Sequence, residues 1–334
     1  MKILHVNDCA GVAANLVCGL QRFGVEVEIF EPTLGVDQKG KFRKALLPLI
    51  RIREAFQLRQ LVKRKRFDIV HVHYARLAFM TLITGLPYYL HCHGSDLRLD
   101  LRRAGFRQLT LLAIRKAIKV FYVTPDLVDY LKPIRPDAVF LPNPINLDDF
   151  AIEPGEGLSI PRVLSISKLD QFKGVEQIIQ TIELVWQRHP EIEVTMFNYG
   201  NQSDLARPFF KEHQCDKRLI LLSHISHNQM GRLINSSDIV LGQQSKIASM
   251  LTLSELESMA CGKPVVCSFK YPNVYPEPPP VLVSHTPEES SEHIVRLLDD
   301  SVLRQSLGRQ GREWVAKYHE QRQIVRQLLQ YYQA

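Results

Sequence analysis

The chain contains no apolar run near the roughly 18 residues that a membrane-spanning helix requires, which argues against an integral helical membrane protein. Its opening residues, Met1-Lys2-Ile3-Leu4-His5-Val6, read as a strand rather than a secretory leader, so a cytoplasmic setting is expected. Cysteine is sparse: six residues, at positions 9, 18, 92, 215, 261 and 267, follow no framework spacing. That excludes a disulfide-built scaffold and fits reduced thiols, most of them in apolar segments. No internal repeat or low-complexity tract is visible apart from the short Pro276 to Pro280 turn. Acidic residues are lacking in one half only. Residues 1–150 carry 23 Lys and Arg against 14 Asp and Glu, whereas the remainder has 19 against 21, so the first half holds all of the +7 excess.

What is present is ordinary globular material. A hydrophobic content of 45% with 23% charge is not that of a disordered chain, and 334 residues suit two domains of about 150 each. Strand and helix patterns alternate from the start: Met1 to Asn7, Val25 to Phe30, Asp68 to His73, Tyr88 to His93 and Val120 to Thr124 read as strands, with a helix over Ala13 to Phe23 closed by Gly24. A Pro-, Asn-, Asp- and Gly-rich stretch, Pro142 to Gly157, reads as a linker. The alternation then resumes with strands at Val163 to Ser167, Ile192 to Tyr199, Leu219 to His224 and Asp238 to Gly242, and helices at Val175 to Gln187 and Gln229 to Asn235. Such order predicts two α/β halves, each a mostly parallel sheet flanked by helices, with a cleft between them. Glu288 to Ala334 is almost continuously helical in pattern, with a break expected at Gly308 to Gly311.

The most informative segment is Leu253 to Val266, LSELESMACGKPVV. A helix bearing Glu255 and Glu257 ends at Cys261-Gly262, and Lys263-Pro264 leads into an apolar strand. Because that helix starts from a polar loop after a strand, its carboxylates belong at the carboxyl edge of the sheet, where α/β folds bind nucleotides. In the loop after the first strand of the second half, Ser167-Lys168-Leu169 and Phe172-Lys173-Gly174 place two ammonium groups where a diphosphate would meet a helix N-terminus.

These passages resemble the nucleotide-sugar signature of the retaining GT-B glycosyltransferases, the glycosyl transferases group 1, over nearly the whole chain and more specifically in the second half. The resemblance implies two Rossmann-like domains: an acceptor-binding domain over 1–150, a nucleotide-sugar-binding domain over 151–317, and a C-terminal helix, 318–334, crossing back to the first. It implies that Lys168 and Lys173 neutralise the departing diphosphate, with Lys168 standing at the family's arginine position and so lacking its bidentate fork. It implies that Glu257 accepts the ribose hydroxyls, while Glu255 points to another face and takes no role. The family's second glutamate, eight residues before the ribose one, is here Ser249, and the glycines that follow it are Met250 and Thr252. Serine cannot stabilise an oxocarbenium-like centre as a carboxylate does. Ser249, Thr252 and Leu253 are nonetheless expected on the donor, with Gly200 and His224, at the ends of the two strands before.

In the first half, Leu90-His91-Cys92-His93-Gly94-Ser95-Asp96 resembles the family's HGSD loop, which implies that His93 contacts the transferred sugar while Gly94 and Asp96 shape the loop. Gly11 is the one glycine left of the family's first-loop pair, and Asn143 matches its interdomain turn. The expected reaction is transfer of a hexose-type unit from a nucleoside diphosphate sugar, UDP favoured, to a glycan or lipid-linked acceptor, with retention and without a metal or other cofactor. His71, His73, His91 and His93 could converge on zinc, but the lysines already answer the diphosphate charge. From Lys39 to Arg66, 11 Lys and Arg meet the single acid Glu54 around an apolar stripe, and a second basic stretch follows in Leu97 to Val120. A peripheral contact with the anionic cytoplasmic membrane face is expected from this. No helix-turn-helix or aromatic-interleaved signature accompanies it, so nucleic acid is not an expected partner. A nucleotide-sugar epimerase of the same architecture and a non-catalytic binding subunit are the alternatives.

Overall fold

The computed structural model describes residues 1–33, 41–153, 161–170, 172–245, 250–270 and 274–333, with side chains from residue 47 onward in the second stretch. The chain divides into two compact units, Met1–Pro144 with Gln321–Ala334, and Ile145–Glu320.

Unit 1 runs β1 (Lys2–Val6), α1 (Val12–Arg22), β2 (Glu26–Phe30), α2 (Lys41–Lys65), β3 (Ile69–His73), α3 (Phe79–Thr84), β4 (Tyr89–Cys92), α4 (Ser95–Arg98), α5 (Ala104–Lys116), β5 (Val120–Tyr122), α6 (Val128–Leu131) and β6 (Val139–Phe140). Its strands form one parallel sheet in the order β2-β1-β3-β4-β5-β6. Alternation splits each strand between two cores. Leu4, Val6, Val70, Val72 and Leu90 meet Ala55 and Leu58 of α2, Met80 of α3 and Ala113 and Ile114 of α5. Ile3, Ile69, Tyr89 and Phe121 meet Val12, Leu16 and Leu20 of α1 on the opposite face.

Unit 2 runs β7 (Arg162–Ser165), α7 (Val175–Arg188), β8 (Glu193–Phe197), α8 (Ser203–Glu212), β9 (Leu219–Leu222), α9 (Met230–Asn235), β10 (Ile239–Leu241), α10 (Leu253–Ala260), β11 (Val265–Cys267), β12 (Leu282–Val283), α11 (Pro287–Asp299) and α12 (Ser301–Tyr318). Its sheet is also parallel, in the order β12-β11-β10-β7-β8-β9. In both sheets the strand order reverses beside the first strand, between β1 and β3 and between β7 and β10. Loops leaving the carboxyl ends at such a reversal diverge and open a crevice.

The last helix, α13 (Gln321–Gln333), belongs to unit 1. It lays Ile324, Val325, Leu328 and Tyr332 on the β-sheet face beside α1, and its fully buried Gln321 donates to the Asn15 carbonyl at 2.7 Å and accepts from Arg22. Gly19 makes room, since a Cβ there would lie 2.7 Å from Val325 Cγ2.

One expectation fails. The Gly308 to Gly311 segment is not a break, because α12 runs through it unbroken. Both glycines are buried on the face that packs on α10: a Cβ at Gly308 would run into the Gly262 carbonyl, and one at Gly311 would sit 3.4 Å from Met259 Cβ. At Gly308 glycine is used for close approach of the backbones, which outweighs its helix cost of about 1 kcal/mol, whereas Gly311 has ordinary contact room.

Candidate functional site

The crevice of unit 2 is built by the loops after β7 and β10. Beyond β7, Ile166 donates to the Leu241 carbonyl at 3.1 Å, Leu169 to Tyr199 at 3.0 Å, and Gln244 of the neighbouring loop to the Lys173 carbonyl at 3.0 Å. Gly174, in the left-handed region at φ +73°, caps α7 where any Cβ would strike the Gln244 carbonyl. Gly200 is held as tightly: at φ +148° its Cβ would meet the Leu169 carbonyl, so this position, expected near the nucleotide, closes the β8 loop onto the lysine loop.

Lys168 is exposed, with Nζ 5.6 Å from the centre of the Tyr199 ring, and His224 packs on the other end of that contact at 5.7 Å between rings. Lys173 is half-buried and close enough to Glu255 to favour that acid's charged form.

α10 begins with a capping box. The Thr252 side chain accepts from the Glu255 amide, while Glu255 Oε2 accepts from the Thr252 amide at 2.7 Å. Thr252, expected on the donor, thus starts the helix, with Leu253 partly buried in its first turn. Glu255, assigned no role from the sequence, is fully buried; its Oε1 accepts from the Gln243 amide at 2.7 Å, and glycine is required at position 242 because a Cβ would run into that oxygen. Burial raises its pKa, against Lys173 and the amides. Glu257 lies on the opposite side of the helix, nearly buried, and meets His227 Nε2 at 2.7 Å. Burial raises its pKa too, opposed by His227. Sequence reasoning placed the segment His224 to His227 near the base and singled out His224; the Ser226-His227-Asn228-Gln229 capping box that sets His227 in the first turn of a helix was the signal for His227. Ser249 lies outside the described residues.

In unit 1 the first loop is bent by left-handed residues at Asn7, Ala10 and Gly11, and Gly11 caps α1 while Asp8 Oδ1 accepts from the Ala13 amide at 2.9 Å. The second loop turns about Asp96. Fully buried, Asp96 accepts from the amides of Ala75 (3.1 Å), His93 (3.1 Å) and Gly94 (2.7 Å), which offsets the rise in its pKa that burial imposes. Gly94, at φ +114°, leaves room for the Arg98 guanidinium, itself paired with Asp126 at 2.7 Å. Asn143 is buried at the chain boundary between the units.

His93 does not stand alone. β1, β3 and β4 carry His5, His71, His73 and His91 on the face that meets α1 and α13, with His5 opposite His71 and His73 opposite His91 in register. His5 Nδ1 lies 2.8 Å from His73 Nε2, and His73 Nδ1 lies 2.9 Å from His93 Nε2. In a second file Tyr332 Oη lies 2.6 Å from His71 Nδ1, and His71 Nε2 lies 3.2 Å from His91 Nδ1. Burial lowers His5 and His93 to about 3 and holds His71, His73 and His91 well below the usual imidazole range, with the neighbouring rings adding to the latter three. Ring nitrogens of His71, His73 and His91 fall within 4.8 Å of one another. The rings stack, however, at interplanar angles of 14° for His5 on His71 and 26° for His73 on His91, rather than converging on a point.

Residues 10–149 match Glycosyltransferase Family 4, and residues 183–330 match a Glycosyl transferase-like family. No curated protein sequence matches the chain. Among solved structures, sucrose-phosphate synthase from Thermosynechococcus elongatus is similar at TM-score 0.77 and 16% identity, over 100% of this chain and 98% of that one. HepE from Anabaena, solved in complex with UDP, is similar at 0.74 and 14%, over 99% of both chains. A glycosyltransferase from Rickettsia africae is similar at 0.73 and 14%, over 99% and 97%. Glycosyltransferase families are thus matched in each half, and from end to end the chain has the two-domain α/β fold of GT-B glycosyltransferase structures.

Proposed function

We propose that the protein transfers a hexose-type sugar, with retention and without a metal ion, from a UDP-sugar held by unit 2 to a glycan or lipid-linked acceptor served by unit 1. The observation that carries this reading is the crevice between β7 and β10. There Lys168 and Lys173 stand on the loop that leads into the N-terminus of α7, and Glu257 lies beside His227 on α10. Ammonium groups and a helix N-terminus suit a leaving diphosphate, and a carboxylate with a ring partner suits ribose hydroxyls. Anabaena HepE, similar in fold, binds UDP and UDP-glucose, which favours uridine. In unit 1, His93 orders the sugar as a neutral hydrogen-bonding group, Gly11 and Gly94 admit it, Asp96 holds the loop, and Asn143 forms the turn between units.

The acceptor's chemistry follows from the outer face of unit 1. Along α2, Leu49 (64% exposed), Ile52 (45%) and Phe56 (53%) form one stripe that runs into exposed Lys63 and Arg64, and Ile83 of α3, Leu112 of α5 and Ile118 just after α5 are exposed as well. Apolar side chains backed by cations suit an anionic lipid surface. That supports a peripheral site on the cytoplasmic membrane face and a lipid-linked acceptor.

Calorimetry with UDP- and GDP-sugars, followed by a hydrolysis assay, tests the donor. Lys173→Ala should weaken UDP binding by roughly 1.5–3 kcal/mol, the range for a charged hydrogen bond. Unchanged affinity removes Lys173 from the site, and tight binding without turnover makes the chain a binding subunit instead.

A further inference from the structure

The file His5, His73, His93 joins three neutral rings by two hydrogen bonds, and each ring has a single proton to give. Only two arrangements satisfy both bonds. In the first, His5 Nδ1–H donates to His73 Nε2, His73 Nδ1–H donates to His93 Nε2, and His93 carries its proton on Nδ1. In the second every proton is reversed, so that His93 donates from Nε2 and His5 keeps an N–H on Nε2.

The inner end of the file decides between them. His5 is fully buried, and its Nε2 meets no hydrogen-bond partner among the described residues. The second arrangement would leave an N–H orphaned there; the first leaves only a bare ring nitrogen. Orphaned buried N–H groups are the rarer of the two defects in folded proteins. The outer end cannot override this choice, because His93 is partly exposed and either of its nitrogens can reach water or a ligand. Asp96, the acid nearest in sequence, holds the His93 backbone amide.

A metal site is the competing account of the same rings. His73 already spends both nitrogens on His5 and His93, and His71 spends both on Tyr332 and His91, so an ion would have to break the files that hold the rings in place.

We infer that His5 and His73 are positioning residues that lock His93 as its Nδ1–H tautomer, so that His93 presents a fixed N–H donor to a ligand at the β4 loop. The lock is a property of unit 1 by itself; its consequence for sugar transfer rests on the role proposed for His93 above. A donor fixed on Nδ1 can hold a sugar hydroxyl or ring oxygen by giving a hydrogen bond, and it cannot take a proton through Nε2, which is occupied by His73.

Side-chain 15N spectra of the intact protein with 15N-histidine, the His93 signals identified by their absence in His93→Gln, read the tautomer directly. The expected result is a protonated Nδ1 and an unprotonated, hydrogen-bonded Nε2 on His93 at pH 7. His73→Phe, which keeps a ring in the stack, should reduce the Nδ1–H form from nearly all molecules to a minority. A wild-type His93 protonated on Nε2, the form free histidine prefers, overturns the inference without any variant having to fold. So does a spectrum in which stoichiometric Zn²⁺ removes the His71, His73 and His91 ring protons, which would make the rings a metal site. Activity separates the two levels: an Nδ1–H His93 whose loss in His73→Phe leaves donor KM and kcat unchanged refutes the role of His93 in transfer and spares the lock.

Discussion

Lowering the pH should open unit 1 steeply, because five imidazoles are stored neutral in its sheet. His5, His71, His73, His91 and His93 are all depressed, His5 and His93 to about 3, chiefly by burial. In the unfolded chain each titrates near 6.5, so below that value the unfolded state binds more protons and stability falls with falling pH. The contribution is present in full above pH 6.5 and is lost as the pH drops toward the folded values. Each ring forfeits about 1.4 kcal/mol per pH unit there, and five together about 7 kcal/mol between pH 7.5 and 5.5. A domain has only about 5–15 kcal/mol to lose. Trp186 and Trp314 both lie in unit 2, so their fluorescence is the wrong probe. Native-state hydrogen exchange of β1, β3 and β4 peptides, followed by mass spectrometry from pH 7.5 to 5.5 and corrected for intrinsic rates, reads the opening free energy directly. A fall of less than about 1.4 kcal/mol over that range, the worth of one proton per pH unit or less, would refute the claim that the cluster is stored neutral.

Three further outcomes follow from the packing. Gly308→Ala should lower thermal stability by about 2 kcal/mol or more through collision with Gly262, whereas Gly311→Ala, with ordinary contact room, should cost little or gain from helix propensity, as comparative melting would show. Thr252→Ala removes the α10 cap and should cost about 1 kcal/mol in denaturant unfolding. Phe56→Asp with Leu49→Asp should abolish cosedimentation with vesicles containing anionic lipid while leaving UDP binding by unit 2 unchanged; wild-type indifference to lipid charge would remove the membrane proposal.

The alternation of β-rich and helical segments was legible because parallel strands, buried on both faces, read as compact apolar runs. β6 and β12, each two residues long, were not, since so short a segment has no period to detect. The basic loop and the α10 carboxylates were legible as motifs. Their division of labour was not. Glu255 and Glu257 differ only in facing, and what separates them is Gly242, just past the end of β10, whose missing side chain lets the Glu255 carboxylate reach the Gln243 amide. His5 was missed because nothing local marks it. It joins the other histidines only once β1 pairs with β3, a contact across 66 residues of chain. Gly308 and Gly311 misled for a related reason: a glycine that ends a helix and one that lets two helices touch look the same in sequence.

Serine at position 249 leaves the acids of α10 as the candidates for the part of the family's second glutamate. Glu255, six residues on and close to Lys173, is the first of these. Both of its oxygens are already committed, Oε1 to the Gln243 amide and Oε2 to the Thr252 amide; freeing the first would leave a buried amide unpaired and freeing the second would undo the cap of α10. Glu257 is turned to His227 on the other side of the helix. Neither acid of α10 is therefore at liberty to face a sugar in place of the missing one. On the proposed reading, charge developing at the anomeric centre is met by the departing diphosphate itself, held by Lys168 and Lys173, and by neutral donors such as His93. The lysine pair then bears more of the transition state than it does where a carboxylate assists, so substitutions of Lys173 should depress kcat more than they raise the donor's KM. A Lys173→Ala enzyme whose kcat is intact and whose donor KM alone has risen would show that the lysine only binds, and that the missing carboxylate has a substitute elsewhere in the chain.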